Sequence, residues 1–186
     1  MTRCENPALL KERSAIDRRT ALLAACLLVR SVSLCGGQES SVFVVRERTP
    51  EPVFTLPDVN GRPVSSKNFA GKVAVVSFGA TWCASCVSEL RSLANLQTRF
   101  VDDVVVYFVA LDGRGEKDVK PFIEKAGVRL PTLLDPHMSV AREHRVRSIP
   151  ETVIVNRQGT IVARAVGPRV WDGKEAQDLV QTLIKR

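Results

Sequence analysis

Cys83 and Cys86 stand two residues apart, directly behind Trp82. Two cysteines at that spacing on the first turn of a helix can close a small disulfide ring. The reactive form of a thiol is the thiolate, which attacks a disulfide sulfur. Unpaired backbone N–H groups and the dipole at a helix N-terminus favour an anion. They lower a thiol pKa from its ordinary ~8.5. Cys83 is therefore read as the nucleophile. Cys86, one turn further in, is read as the thiol that resolves the mixed disulfide. Two blander readings compete. Half a zinc site would need a second ligand pair, since zinc takes four, and no second Cys-x-x-Cys exists. A purely structural disulfide fits less well behind Trp82 and between a strand and a helix.

The elements that must hold the pair can be read on both sides of it. Val73 to Phe78 is almost unbroken apolar and β-branched, the pattern of a strand buried on both faces. Gly79 and Ala80 end it. From Cys86 onward, Leu90, Leu93, Ala94 and Leu96 fall at roughly helical spacing. The cysteines thus sit where a central strand hands over to a helix, at the carboxyl edge of a sheet.

The whole chain has 186 residues, 45% of them hydrophobic, enough for one domain plus an extension. Residues 1–48 hold eight Lys/Arg against five Asp/Glu, and residues 49–186 hold 19 against 15. The folded part is only mildly basic. It lacks a Lys/Arg block with interleaved aromatics, which argues against nucleic acid as a partner. Arg18 and Arg19 precede the apolar run Ala21–Val29, and small and polar residues follow, the order of an export signal. Arg30 interrupts the run well short of the ~20 residues of a membrane span. Leu23-Ala24-Ala25-Cys26 resembles a lipoprotein cleavage box. Cys35 precedes a Gly36-Gly37-Gln38 linker, and Ser31-Val32-Ser33 suits an ordinary signal peptidase. The expected division is an export signal or membrane or lipid anchor over 1–35, a linker over 36–48 and a folded domain over 49–186. Cys26 and Cys35 are the candidate lipidation sites.

Further elements follow in order. Val42 to Arg48 reads as an edge strand or as linker. Asn60-Gly61 between two extended runs signals a hairpin. Ser65 or Ser66 caps a turn around Phe69. Val104 to Leu111 is a second buried strand. Val119, Phe122, Ile123 and Ala126 mark a helix that Pro121 delays or kinks. Thr132 to Leu134 is a short strand. Asp135-Pro136 opens a helix running to about His144. Glu151–Val155 and Thr160–Val166 form a hairpin. A last helix carries Ala176, Leu179, Val180 and Leu183, with Asp172 and Glu175 as its cap. His137 and His144 read as surface residues. Pro150, before a strand, is cis or trans on this evidence alone.

Several of these features together resemble the thioredoxin fold, and within it the TlpA/ResA-type thiol–disulfide oxidoreductases of bacterial cell envelopes. They are Val53-Phe54-Thr55-Leu56 with Asn60-Gly61, Phe69-Ala70-Gly71-Lys72, Trp82-Cys83-Ala84-Ser85-Cys86 with Glu89, and Ile149-Pro150. The resemblance implies an α/β fold: a central mixed sheet flanked by helices, with an added N-terminal β-hairpin. It also implies a cis peptide before Pro150, with Ile149 and Glu151 at the groove for a partner's chain. Export, no cofactor, protein thiols or disulfides as partners (apocytochrome c among them) and a membrane electron donor follow from it too. The resemblance is imperfect. Ser85 stands where Pro is common, Gly79 where an aromatic is common, and Ser77 where thioredoxins carry a buried Asp. A proton acceptor for Cys86 must then come from elsewhere. Asp112 is the first candidate and Glu116 the second, and either could instead be a solvated loop acid. Arg142, Arg145 and Arg147 read as a solvated face or as a steering patch for acidic partners.

Two other activities compete. A thiol peroxidase of the peroxiredoxin type needs a Thr three residues before its cysteine, whereas Thr81 lies two before Cys83 and five before Cys86. A Cu(I)-delivery protein would use the soft thiolates, but with a wider cysteine spacing and a distal His.

Overall fold

The computed structural model describes residues 43–44 and 48–186. The expected export segment, with Cys26 and Cys35, and most of the expected linker lie outside the described residues. A seven-stranded mixed sheet forms the centre. Its strands are β1 (Phe43–Val44), β2 (Thr49–Pro50), β5 (Val73–Gly79), β6 (Val104–Ala110), β7 (Thr132–Leu134), β8 (Glu151–Val155) and β9 (Thr160–Val166). The order is β1-β9-β8-β5-β6-β7, with β2 also on β9. β5, β6 and β7 run parallel, and β8 and β9 return antiparallel. Phe43 and Val44, expected at the end of the linker, pair with Ala165 and Arg164 and extend the sheet.

β5 is buried along its whole length, as its composition requires. Its side chains alternate between two apolar layers. Val73 and Val75 join Leu90, Leu93 and Leu96 of helix α1 (Ala84–Arg99) and Ala176, Val180 and Leu183 of helix α4 (Lys174–Ile184). Ala74, Val76 and Phe78 join Phe54, Phe69, Val140, Val153 and Ile161 on the other face. Burying each of the three leucines of α1 contributes about 1.5–3 kcal/mol, which anchors the helix that carries the cysteines.

β3 (Thr55–Pro57) and β4 (Pro63–Ser65) form the added hairpin. Its turn is not the primed type that Asn-Gly suggests. Asn60 keeps a negative φ, Gly61 takes φ 78°, and Gly61 N–H bonds the Asp58 carbonyl at 2.9 Å. The Asp58 carboxylate accepts from Asn60 and Arg62 N–H. That is a turn closed by a left-handed glycine, with the Asp supplying the acceptor.

Helix α2 (Glu116–Ala126) is not delayed by Pro121: it starts ahead of the proline and runs through it, with Pro121 on an exposed face. Two helix starts differ from expectation. Met138, not Asp135, is the N-cap residue of helix α3, which is only Ser139–Glu143, although the Asp135 side chain reaches its first N–H groups. The Asp135 carboxylate takes Ser139 N–H, Ser139 Oγ–H and Ala141 N–H. Gly173, not Asp172 or Glu175, precedes α4, and the Asp172 carboxylate accepts from Asn95 instead. His144 is buried, not at the surface. It sits between the Phe54 and Phe78 rings, with Nδ1 on the Val140 carbonyl and Nε2 on Glu51.

Candidate active site

Cys83 is the N-cap of α1, and its Sγ accepts the Cys86 N–H at 3.2 Å. The two sulfurs form a disulfide. Cys83 is half-buried and Cys86 fully buried. Ser85 Oγ lies 3.3 Å from Cys83 Sγ. A disulfide sulfur carries no hydrogen, so the serine hydroxyl donates. The Cys83 sulfur therefore meets two donors, an amide and a hydroxyl, and both stabilise a thiolate there. Trp82, 73% exposed, stands free beside it.

The odd-numbered residues of β5 face α1, and at the site they are small. A Cβ on Gly79 would lie 2.6 Å from the Phe108 ring and 3.0 Å from Cys86 Cβ. Glycine here lets the ring and the second cysteine share the space that an aromatic would fill. Ser77 Oγ–H donates to Glu89 Oε1 at 3.0 Å. Glu89 is one turn past Cys86 on the same buried face of α1. Its other oxygen accepts Arg169 N–H at 3.1 Å and Trp171 Nε1–H at 3.4 Å. Burial pushes this carboxyl above its ordinary value, and the bonds from Arg169, Ser77 and Trp171 only partly offset that.

Glu89, not singled out as an acid by the sequence, is the buried carboxyl on the cysteine helix. The signal was present: an acid on the same helical stripe as Cys86, Leu90 and Leu93, and a lone Ser in an apolar strand. Asp112, just past β6, is also buried, but both its oxygens are occupied. They accept Thr81 N–H at 3.1 and 3.2 Å and Thr81 Oγ–H at 2.5 Å. Glu116 is exposed at the start of α2 and pairs with Lys120, so it is the solvated acid of the two.

The register of β8 against β5 pairs Glu151 with Phe78. That pair ends the ladder, and Pro150 and Ile149 immediately precede it, while Gly79 closes β5 one residue past Phe78. The Ile149–Pro150 peptide is cis. The Pro150 carbonyl accepts Gly167 N–H at 2.9 Å. Among the described residues the Ile149 amide and carbonyl make no backbone hydrogen bond. Glu151 neither faces water nor puts its charge on a groove. Its carboxylate is buried, held by Arg164 and by Arg147 N–H.

A mixed sheet with flanking helices and a disulfide at the β5–α1 junction defines a thioredoxin-like protein. Residues 46–164 match the AhpC/TSA family, and the chain belongs to it. It is 25% identical over 158 residues to the thiol-disulfide oxidoreductase ResA of Bacillus subtilis, covering 85% of this chain and 88% of that protein. It is 28% identical over 152 residues to the thioredoxin-like protein YneN of the same organism, covering 78% and 89%. The solved structure of a thiol:disulfide interchange protein from Bacteroides sp. superposes with TM-score 0.65 at 26% identity, over 76% of this chain and 92% of that one.

Proposed function

We propose that this chain is a thiol–disulfide oxidoreductase that reduces disulfides of exported proteins, as in cytochrome c maturation. The carrying observation is the disulfide itself: a half-buried Cys83 at a helix N-terminus, backed by a fully buried Cys86. In the reduced chain the Cys83 thiolate attacks a partner disulfide. The partner S–S bond breaks, and the released partner thiolate takes a proton. Cys86 then attacks Cys83 Sγ as a thiolate, the mixed disulfide breaks, and the second partner thiol leaves. The partner gains two electrons and the chain ends as the Cys83–Cys86 disulfide.

Glu89 is the acceptor for the Cys86 proton. Its raised pKa brings it closer to a thiol, which is what proton exchange near neutral pH requires. Asp112 anchors the turn before Cys83 through Thr81. The free Ile149 backbone receives the partner's extended segment. The basic-then-apolar stretch 18–29 supports export, with Cys26 or Cys35 as the lipid anchor and a membrane protein as electron donor.

Insulin reduction by the purified chain tests the activity. Cys83→Ser abolishes it. Cys86→Ser accumulates mixed disulfides, because nothing resolves them, and normal turnover by that variant would overturn the assigned roles. A reduction potential near ~−270 mV fits a reductant, and one near ~−120 mV an oxidant. The peroxidase reading is weaker here, since the Thr81 hydroxyl is spent on Asp112. For the copper reading His144 is already taken, bonded to Val140 and Glu51, which leaves only the exposed His137.

A further inference from the structure

The segment that leads into Pro150 has its charges sorted. Its arginines Arg142, Arg145 and Arg147 all face solvent. The carboxylates that could neutralise them are spent inside. Asp135 caps α3, Glu51 holds His144, and Glu151 holds Arg164 and the Arg147 amide. Among the described residues, no carboxylate lies within ion-pair range of any of the three arginines. Glu143 is the lone exposed acid between His137 and Ile149. A solvated helix face normally mixes signs, as α2 does with its Arg114–Asp118 and Lys120–Glu116 pairs. Concentrating one sign costs self-repulsion, and in return it gives a directed field.

The arginines are also held in place. Arg145 N–H bonds the Arg142 carbonyl and Val146 N–H the Ala141 carbonyl, both at 2.9 Å, which closes the segment into a tight turn. Arg145 adopts φ 56°, a left-handed conformation uncommon outside glycine. Arg147 is three residues from Pro150, so at most about 10 Å of chain separates them. A partner segment seated along Ile149 would carry its neighbouring residues onto this turn.

We propose that Arg142, Arg145 and Arg147 form a docking track for an acidic segment of the redox partner, adjacent to the partner's own cysteine. The inference rests on the thiol–disulfide activity given above and names the class of substrate it selects. Peptides fit better than an anionic membrane, because the track leads through Pro150 to Glu151, which pairs with Phe78 near the end of the strand that hands over to Cys83, and the segment carries a single exposed apolar residue, Met138.

The test uses the reduced full chain and three disulfide-bonded peptides. They differ only in residues flanking the cysteine: two Glu, two Gln or two Lys. The expected kcat/KM at low salt is about tenfold higher for the Glu than for the Gln peptide, with the Lys peptide lowest, and the differences shrink at high ionic strength. In the triple variant R142Q/R145N/R147Q the Glu-to-Gln ratio falls to about one. Asn at position 145 tolerates the left-handed backbone, so the fold is kept. R147E alone raises the Lys peptide above the Glu peptide. Equal rates for the Glu and Gln peptides in the wild type, or an undiminished ratio in the triple variant, overturn the docking track alone. So does a triple variant that loses binding to phosphatidylglycerol vesicles yet keeps the peptide preference. Failure to reduce any of the peptides overturns the oxidoreductase reading, and the track with it.

Discussion

On the helix side of the disulfide, Glu89 lies in an apolar layer with Leu90, Leu93 and Trp171 around it. It receives three hydrogen bonds from two places: one from Ser77 of β5, and two from Arg169 N–H and the Trp171 ring in the loop after β9. On the strand-end side, the Asp112 carboxylate receives its bonds from one residue, Thr81. Both carboxylates are almost fully buried, 3% and 2% exposed. The difference lies in what each is bonded to. Asp112 is wired to the backbone two residues before Cys83, so it sets geometry. Glu89 is wired to Ser77 of β5 and to the loop after β9, and it shares the buried face of α1 with Cys86. Its desolvation raises its own pKa. The proposed division of labour, proton transfer by Glu89 and positioning by Asp112, therefore rests on their partners and not on burial, which the two share.

The strongest way to break this comparison is Glu89→Gln. The substitution keeps the shape: the amide oxygen still accepts from Arg169 and Trp171, and the amide nitrogen donates to Ser77. Only titration is lost. Resolution of the mixed disulfide is expected to slow on the order of 10²-fold at neutral pH, the usual contribution of a positioned base. Stopped-flow fluorescence of Trp82 beside the disulfide would follow it. A variant with the wild-type rate and pH profile would return the proton to Asp112 or to water.

Asp112→Ala is expected to act on the other side, through stability. It strips two Thr81 donors of their acceptor at a partly buried site, a cost of about 2 kcal/mol. The urea midpoint would show it. The pH profile of resolution should match the wild type in shape. If Asp112→Asn flattens that profile while Glu89→Gln does not, the two roles exchange.

The architecture was legible because it is written in local periodicity. β5 is an unbroken apolar run, α1 repeats at three and four residues, and the paired cysteines mark the junction between them. The site's polar wiring was not legible, because its partners are remote in sequence. Glu89 reaches residues 12, 80 and 82 positions away, Glu151 meets Arg164 across a hairpin, and Glu51 meets His144 at a separation of 93. A charged residue within an apolar pattern signals a buried pair without naming its partner. Asp112 and Glu116 share a position after a strand, and position alone does not separate an anchored acid from a solvated one.

A smaller effect tests the electrostatics of Glu89 directly. Its pKa is raised in the folded chain, so the native state holds a proton that the unfolded state has already released. Stability must therefore fall as pH rises above the ordinary carboxyl value, here 4.5, and level off once the folded group has ionised. The slope is at most about 1.4 kcal/mol per pH unit while only the native form is protonated. Denaturation of wild type and Glu89→Gln at several pH values isolates it. The gap between them should move in favour of the Gln protein with rising pH. A gap independent of pH would mean that the donors fully offset the burial.

The smallest expected effect is that of Glu116→Gln, and it completes the comparison from the solvent side. Glu116 is exposed, and its partner Lys120 is 3.8 Å away on the same helix, also with much of its side chain in water. Such i,i+4 pairs contribute about 0.3–0.5 kcal/mol and are screened by salt. Glu116 also sits in the first turn of α2, where the dipole favours an acid by a similar small amount. The unfolding midpoint should shift by at most about 0.5 kcal/mol in the destabilising direction, and 0.5 M salt should erase most of that. The rate and pH profile of resolution should coincide with the wild type. A displaced profile would mean that α2 approaches the cysteines during turnover, because at its place in the structure Glu116 meets neither the sulfurs nor a buried donor. Identical curves would leave Glu89 and Asp112 as the two carboxylates that the disulfide depends on, one for its proton and one for its geometry.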